Sequence, residues 1–138
     1  MENALMVSGL TKTWKDFTLD NVSFNVPRGA VVGLIGENGA GKSTTINTVL
    51  GLIQKEAGQV FILGKEELDG GTKEQLGVVF DGSNYPEILS PRKINRVMKS
   101  IYRSWDEETY FRLLTRFSLP VDRQIRQFSK GMKMKLAI

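Results

Sequence analysis

Two kinds of hydrophobic pattern divide the sequence. In its first part, apolar residues either alternate with polar ones or form short unbroken runs, and both patterns are typical of β-strands. The alternating pattern predicts strands at residues 4–7 and 22–26, with a short partner strand at residues 17–19. The unbroken runs at residues 30–35 ("AVVGLI") and 76–81 ("LGVVFD") predict strands that are covered on both faces.

One helix and one further strand are predicted between these runs. Ile46, Val49 and Leu50 would share one face of a helix that fits residues 43–52. The segment "EAGQVFILG" behind it is typical of a turn that leads into a strand, and "PRG" at residues 27–29 predicts another turn. The first part of the chain is therefore predicted to be an α/β region.

The second part of the chain follows a helical period. Ser90 and Pro91 are typical of a helix start, because Ser is a favoured N-cap and Pro a favoured first residue. The predicted apolar face of this helix consists of Ile94, Val97, Met98, Ile101, Tyr102 and Trp105. Ser104 and Glu107 have the spacing of a capping box for a second helix, which Pro120 would end. Its predicted face consists of Tyr110, Leu113, Leu114 and Phe117.

These patterns predict two regions, an α/β core over residues 1–83 and a helical region over residues 84–138. A chain of 138 residues is one domain or part of a larger one. No apolar run approaches the roughly 20 residues that cross a bilayer, and the start of the chain lacks a signal-peptide pattern. The absence of cysteine and histidine excludes a disulfide framework and removes the usual general base and the commonest zinc ligand.

The chain carries a net charge of +4, from 19 Lys and Arg against 15 Asp and Glu. A basic balance suits a phosphate-rich ligand or an anionic membrane surface, and it equally suits an ordinary basic surface. Because the basic residues are scattered and form no dense run, no nucleic-acid partner is expected.

Residues 36–43, "GENGAGKS", match the phosphate-loop pattern G-x-x-x-x-G-K-[ST]. Gly36, Gly39 and Gly41 are expected to adopt left-handed conformations, so that backbone N–H groups can converge on a phosphate at a helix N-terminus. Lys42, a candidate catalytic residue, would extend its charge toward the β- and γ-phosphates, while the Ser43 hydroxyl would supply one Mg²⁺ ligand. The predicted cradle consists of Gly36, Glu37, Asn38, Gly39, Ala40, Gly41, Lys42, Ser43 and Thr44. A glycine-rich turn without a ligand is the alternative, which the position between an apolar run and a helix disfavours.

The order of motifs narrows the class of protein, since a phosphate loop alone suits kinases, GTPases, helicases and transport ATPases alike. From residue 4 to residue 138 the chain resembles the nucleotide-binding domain of ABC-type ATPases. The stretch "LTKTWKDFTLDNVSFNVPRGAVVGLIGENGAGKSTTINTVLGLI" is similar to the opening of that family, and "FSKGMKMKLAI" is similar to its signature segment, usually written L-S-G-G-Q. The resemblance implies an α/β P-loop NTPase fold: a three-layer sheet core with an N-terminal antiparallel β region and a helical subdomain.

The signature segment is matched in part. Phe128, Ser129 and Gly131 agree with the family in kind and place. Lys130 replaces the first glycine, Met132 replaces the glutamine, and this "SKGMK" form resembles ATPases paired with drug or antibiotic exporters. In the family this segment contacts the γ-phosphate held by the other subunit, so the resemblance implies two ATP molecules buried between two head-to-tail copies. Ser129 and Gly131 are therefore candidate catalytic residues; an ordinary capped helix is the alternative.

The resemblance adds two further positions. Trp14 stands where the family places an aromatic that stacks on adenine; a core position is the alternative, and Phe17 is the second choice for stacking. Asp81 stands where the family has a glutamine that touches Mg²⁺ or water. Its carboxylate can reach Mg²⁺ through water, or it can simply begin a turn with Gly82. The expected ligands are ATP and Mg²⁺, with Ser43 and Asp81 as metal candidates and Asp81 also as a catalytic candidate.

The resemblance as a whole implies the ATP-binding subunit of an ABC membrane exporter, an ATPase at the cytoplasmic face of the cell membrane. The expected partners are a second copy of the domain and a transmembrane permease. A soluble ABC-type ATPase acting on ribosomes or DNA is the alternative, as is a nucleotide-binding module without hydrolysis. In the family, the Mg²⁺-binding Asp, the water-activating Glu and the switch His all follow the signature. Since the sequence stops at Ile138, it is expected to be incomplete at the C-terminus and not competent for hydrolysis alone.

Overall fold

The computed structural model describes residues 2–66, 70–80 and 85–138. The chain divides into two units, Met1–Gln75 and Leu76–Ile138, each with its own secondary structure. The boundary predicted after residue 83 lies outside the described residues, as does Asp81. Within the described ranges, no helix has the length and apolar content that crossing a membrane requires.

The first unit is built on a three-stranded antiparallel sheet in the order β2-β1-β3, which confirms the predicted N-terminal antiparallel region. Its strands are β1, Asn3–Trp14, β2, Phe17–Pro27, and β3, Ala57–Ile62. β1 and β2 are longer than predicted, and β2 joins the two short strands that the alternation had separated. The two strands meet at a tight turn, so Trp14 and Phe17 stand opposite each other at the closed end of one hairpin.

One face of this hairpin contributes to the core of the first unit. Leu10 and Leu19 are buried there. Residues two apart on a strand share a face, so Lys12 and Trp14 lie on the same face of β1 as Leu10. In the antiparallel register, Lys12 is opposite Leu19 and Trp14 is opposite Phe17. The closed end of the hairpin therefore gathers a lysine and two aromatic residues on one side of the sheet.

The two unbroken apolar runs do not form the buried strands that the sequence predicted. Residues 30–35 and 76–80 adopt no strand, and most of their side chains are exposed: Val31 and Ile35 to 101% and 94%, Val79 to 50%, with Leu76 half-buried. A strand becomes buried only where neighbouring strands pair with its backbone and other elements cover its faces. In the described part of the chain the sheet consists of β1, β2 and β3. The runs therefore have the composition of buried strands without the neighbours that would bury them.

Helix α1, Lys42–Val49, begins one residue earlier than predicted and is shorter. Its buried side consists of Thr45, Thr48 and Val49, whereas Ile46, which was predicted on the apolar face, is 48% exposed. The hydroxyls of Thr45 and Thr48 donate to backbone carbonyls one turn earlier, at 2.9 and 2.7 Å. Because these hydroxyls are satisfied inside the helix, both threonines can be buried without a penalty for an unpaired polar group. A one-turn helix, α2, follows later in the unit at Gly70–Lys73.

The second unit is a cluster of short helices. It contains α3, Pro91–Ile101, α4, Glu107–Arg116, a 3₁₀ turn at Ile125–Gln127 and α5, Lys130–Ala137. Its core consists of Ile94, Leu114, Leu119, Ile125, Phe128 and Leu136. Each of the four elements contributes to this core, and burying one such side chain stabilises the folded state by about 1.5–3 kcal/mol.

Helix α3 is shorter than its apolar pattern predicted. It ends at Ile101, so Tyr102 and Trp105 lie beyond its last turn. Of the predicted face, Ile94 is buried, whereas Val97 and Ile101 are 44% and 60% exposed. An apolar spacing of three and four residues can thus extend beyond the last residue of a helix, as it does here at Tyr102 and Trp105.

The predicted helix starts are right for α3 and wrong for α4. Ser90 occupies the N-cap position of α3 and Pro91 is its first residue, although the Ser90 side chain makes no capping hydrogen bond. Helix α4 is capped by Asp106 and not by Ser104: the Asp106 carboxylate accepts a hydrogen bond from the Thr109 N–H at 2.9 Å. Asp and Ser are both good N-caps, so the local sequence did not distinguish them.

A polar network fixes the start of α4. The Trp105 Nε1–H donates to Oδ1 of the buried Asn95 at 2.8 Å, and the Asn95 amide donates to the Glu107 carboxylate at 2.7 Å. Lys99 donates to the same carboxylate at 3.3 Å. The hydrogen bonds from Asn95 and Lys99 hold the pKa of Glu107 below its ordinary value. Trp105 lies beyond the end of α3, and its indole takes part in this network between α3 and α4.

Candidate nucleotide-binding site

The predicted phosphate loop leads directly into helix α1. Gly39 and Gly41 have φ values of 87° and 89°, in the left-handed region that glycine enters without steric cost. Gly41 is the N-cap of α1, so the loop delivers its backbone to the N-terminal end of the helix. All residues of α1 are described, and its first turn contains no acidic side chain. A helix end of this kind favours an anion, because its N–H groups and its dipole both present positive charge.

Gly36 is needed for a different reason from the one predicted. It is not among the glycines with positive φ, so the expected left-handed conformation is wrong at this position. A Cβ on Gly36 would instead lie 3.3 Å from the Cβ of Ala40 and 3.9 Å from the side chain of Lys42. Glycine at position 36 therefore provides room for the Ala40 side chain across the loop.

Gly41 combines a left-handed backbone with a close aromatic neighbour. A Cβ at this position would lie 2.6 Å from Cζ of Phe17, which is closer than two non-bonded carbon atoms can approach. The Phe17 ring, at the start of β2, thus packs directly on the phosphate loop. The hairpin supports the loop through this contact, which sequence reasoning missed because it considered Phe17 only as a second choice for stacking.

The Lys42 side chain curls back over the loop. Its ammonium donates hydrogen bonds to the carbonyls of Gly36 and Glu37, each at 2.6 Å. The positive charge of Lys42 is therefore held at the loop. Oxygen atoms of a phosphate can replace the two carbonyls as acceptors of its hydrogen bonds. The role predicted for Lys42 at the β- and γ-phosphates stays a prediction.

A cavity of about 240 Å³ opens beside the loop. It is lined by Phe17, Asn38, Gly39, Gly41, Lys42, Ser43 and Thr44. Six of these residues belong to the predicted cradle, and Phe17 adds an apolar wall. A lysine, a serine hydroxyl and backbone N–H groups around one cavity form a donor set suited to phosphate oxygens.

Trp14 is partly exposed and lies next to Phe17, which lines this cavity. Its side chain is 38% exposed, and its ring centroid is 6.2 Å from that of Phe17, with the two planes tilted by 41°. The first and second choices for a base-stacking residue are therefore neighbours. Phe17 lines the cavity and contacts the loop, while Trp14 offers the more exposed ring.

The signature segment lies in the second unit. Phe128 is buried in the helical core, and Ser129 caps α5 by accepting a hydrogen bond from the Met132 N–H at 3.2 Å. Gly131 is exposed, and the nearest atom to a Cβ at that position would be the Ser129 Oγ at 4.0 Å. The predicted cap is confirmed, and the first turn of α5 is open at Gly131. Asp81, predicted at the metal, lies outside the described residues.

These features define a nucleotide-binding protein of the phosphate-loop class, and comparison with known proteins identifies its family. The model of the ABC transporter family matches residues 19–138, so the chain belongs to this family. A solved structure described as the ATP-binding subunit of an ABC transporter superposes with a TM-score of 0.84 at 33% identity, covering 97% of this chain and 59% of that one.

Two curated relatives are transport proteins. The lantibiotic transport ATP-binding protein SrtF of Streptococcus pyogenes is 33% identical over 137 residues, which cover 97% of this chain and 59% of the relative. The fluoroquinolones export ATP-binding protein of Mycobacterium tuberculosis is 34% identical over 119 residues, covering 83% of this chain and 39% of the relative. The chain thus spans 59% and 39% of the lengths of these two proteins.

Proposed function

We propose that the chain is the ATP-binding part of an ABC membrane exporter, in which ATP and Mg²⁺ bind at residues 36–44 and hydrolysis drives export. The observation that carries the proposal is the phosphate loop, with two left-handed glycines and an inward-turned lysine at the N-terminus of α1. Membership of the ABC transporter family supports ATP as the ligand. The names of the two curated relatives support transport, and one of them names export.

Each residue of the proposed site has a physical role. The N–H groups near Gly39 and Gly41 and the ammonium of Lys42 neutralise the β- and γ-phosphates. The Ser43 hydroxyl lines the same cavity and supplies one Mg²⁺ ligand, since Mg²⁺ takes most of its other ligands from phosphate and water. Trp14 stacks on the adenine ring through its exposed indole. Asp81 remains a proposed water-mediated contact of the metal.

The signature segment is proposed to act between two copies of the chain. Two copies pair head to tail, and the open turn at Ser129 and Gly131 of one copy contacts the γ-phosphate held by the other. Lys130 is exposed next to this turn and adds a charge that attracts the phosphate. The dimer binds a transmembrane permease at the cytoplasmic face of the membrane. In this assembly residues 1–83 form the nucleotide-binding core and residues 84–138 the helical subdomain.

Replacing Lys42 tests the site directly. The Lys42→Ala variant should bind Mg–ATP and inorganic tripolyphosphate at least tenfold more weakly, because a charge-assisted hydrogen bond of about 1.5–3 kcal/mol is lost. Isothermal titration of both ligands measures this change, and phosphate release is recorded in the same samples. Lys15→Ala, at an exposed lysine in the hairpin turn, is the matched control and should bind both ligands as the parent does. Equal ATP affinity in Lys42→Ala and the parent would refute the assignment.

A further inference from the structure

Lys12 and Glu56 form an ordered pair next to the proposed base site. The Lys12 ammonium lies 3.1 Å from Oε1 of Glu56, and the other carboxylate oxygen accepts a hydrogen bond from the Thr13 N–H, also at 3.1 Å. Glu56 therefore binds two groups of β1, the ammonium of Lys12 and the backbone N–H of Thr13. The Lys12 side chain is only 21% exposed, which restricts its motion more than that of a free surface lysine.

The same ammonium lies over the indole of Trp14, 5.5 Å from the ring centroid. Lys12 and Trp14 share a face of β1, so the contact follows from the two-residue period of the strand. A cation over an aromatic face is attracted by the ring quadrupole. One face of the indole thus carries a charge that Glu56 holds in place, so a flat ligand that stacks on Trp14 has to use the opposite face.

We infer that Lys12 and Glu56 are positioning residues for nucleotide binding, holding the Trp14 indole ready to receive the base on the face opposite Lys12. The inference rests on the proposed function, in which Trp14 stacks on adenine. Its physical basis is preorganisation: a side chain that is already ordered loses less conformational freedom when a ligand binds. The hydrogen bond from Lys12 also holds the pKa of Glu56 below its ordinary value, so the carboxylate is ionised at neutral pH.

Lys12 is assigned to the binding of the base and not to the binding of the phosphates. Lys12 contacts the aromatic end of the hairpin, whereas Lys42 lies at the phosphate loop. A positioning role for Lys12 therefore predicts weaker binding of ATP and unchanged binding of inorganic tripolyphosphate, which has no base. A direct contact of Lys12 with phosphate predicts that both ligands bind more weakly.

The experiment uses the full chain with Lys12→Met, Glu56→Gln and the double variant, and Lys15→Met is the control for loss of one positive charge in the same hairpin. We expect the dissociation constant of Mg–ATP to rise about threefold in each single variant, because the less ordered indole then loses more conformational freedom when the base binds. The double variant should bind no more weakly than Lys12→Met, because the two residues act as one unit. Lys12→Arg, which keeps both the charge and the ion pair, should retain the affinity of the parent.

The fluorescence of Trp14 provides a readout that general destabilisation does not reproduce. The Trp14 signal is obtained by subtracting the spectrum of the same protein with Trp14→Phe, which leaves Trp105 and its hydrogen bond to Asn95 intact. In Lys12→Met the ligand-free Trp14 emission should change, and in Lys15→Met it should not. In the parent, Mg–ATP should change this emission and tripolyphosphate should change it much less.

Two results would overturn the inference while leaving the proposed function in place. One is unchanged ATP affinity in Lys12→Met and Glu56→Gln although Trp14→Ala binds ATP more weakly. The other is an equal loss of ATP and tripolyphosphate binding in Lys12→Met, which would assign the lysine to the phosphates. If Trp14→Ala itself binds ATP as the parent does, the stacking step of the proposed function fails and the inference fails with it.

Discussion

The ammonium group of Lys42 illustrates, at the scale of one residue, how a charge can be held ready for a ligand. Its two carbonyl acceptors lie at 2.6 Å, and they carry only partial charges. Phosphate oxygens carry formal negative charge, so an ammonium is attracted to them more strongly than to the dipole of a carbonyl group. Binding of a phosphate therefore exchanges weaker acceptors for stronger ones at a site where the lysine is already located.

Gly131 allows the proposed dimer contact to be tested with one substitution. An aspartate fits at position 131, because a Cβ there has no neighbour closer than 4.0 Å, and a negative charge in the first turn of a helix is tolerated or favoured. The Gly131→Asp variant should therefore fold as the parent does. Its charge would repel a γ-phosphate, so the increase in association on adding Mg–ATP, measured by sedimentation, should disappear. Ser100→Asp, at an exposed position of α3, is the control and should keep this increase; its persistence in Gly131→Asp would contradict the proposed contact.

At the scale of elements, hydrogen bonds at the C-terminal end of α4 explain where this helix stops. Helix α4 ends at Arg116, several residues before the proline that was predicted to end it. The N–H of Ser118 donates to the Thr115 carbonyl at 3.0 Å, and the N–H of Leu119 donates to the Leu114 carbonyl at 2.9 Å. This pair of hydrogen bonds is a Schellman motif, which needs a left-handed residue after the C-cap. Ser118 occupies that position with φ of 56°.

Glycine in place of Ser118 should therefore stabilise the second unit. A residue with a side chain pays about 1–2 kcal/mol for the left-handed conformation, and glycine does not. We expect Ser118→Gly to raise the free energy of unfolding by roughly 1 kcal/mol in a denaturant titration. Arg96→Gly, at an exposed position in the middle of α3, is the control of opposite sign and should lower it by about 0.5–1 kcal/mol. A lower stability in Ser118→Gly would show that the serine makes a compensating contact.

The sequence predicted those features whose causes are local. The phosphate loop follows from eight consecutive residues, and its cavity contains the predicted Lys42 and Ser43. The packing of Phe17 on the loop and the pairing of Lys12 with Glu56 could not be predicted, because these residues meet only after the sheet has formed. The Lys12–Glu56 hydrogen bond spans 44 positions in the sequence. The cap of α4 was predicted wrongly because Ser104 and Asp106 are both good N-caps, and the hydrogen bond from the Thr109 N–H goes to Asp106.

The distribution of apolar surface is the main feature at the scale of the whole molecule. The buried residues of the helical unit form one cluster around Ile125, whereas four residues of the run 30–35 are between 46% and 101% exposed. Contiguous exposed apolar surface in a folded protein marks a place where another surface binds. The family resemblance accounts for the composition of this run, since in that fold it is a central strand of a sheet.

The last prediction concerns the chain in isolation. Each exposed Val, Leu or Ile side chain forgoes about 1.5–3 kcal/mol of burial, and a whole domain is stable by only about 5–15 kcal/mol. Val31, Val32, Leu34 and Ile35 together therefore represent an energy comparable with the entire margin. We expect the isolated chain to self-associate through residues 30–35 and 76–80, which sedimentation and thermal unfolding without nucleotide would detect.

Charged substitutions distinguish the run at residues 30–35 from other exposed apolar positions. Val31→Lys combined with Ile35→Lys should reduce self-association, because two ammonium groups cannot be buried cheaply between copies. Ile88→Lys is the matched control, since Ile88 is also exposed, to 66%, but lies outside both runs; it should associate as the parent does. A monodisperse monomer with one sharp, cooperative unfolding transition would contradict the prediction, because it would mean that the energy of the exposed run is compensated within a single copy.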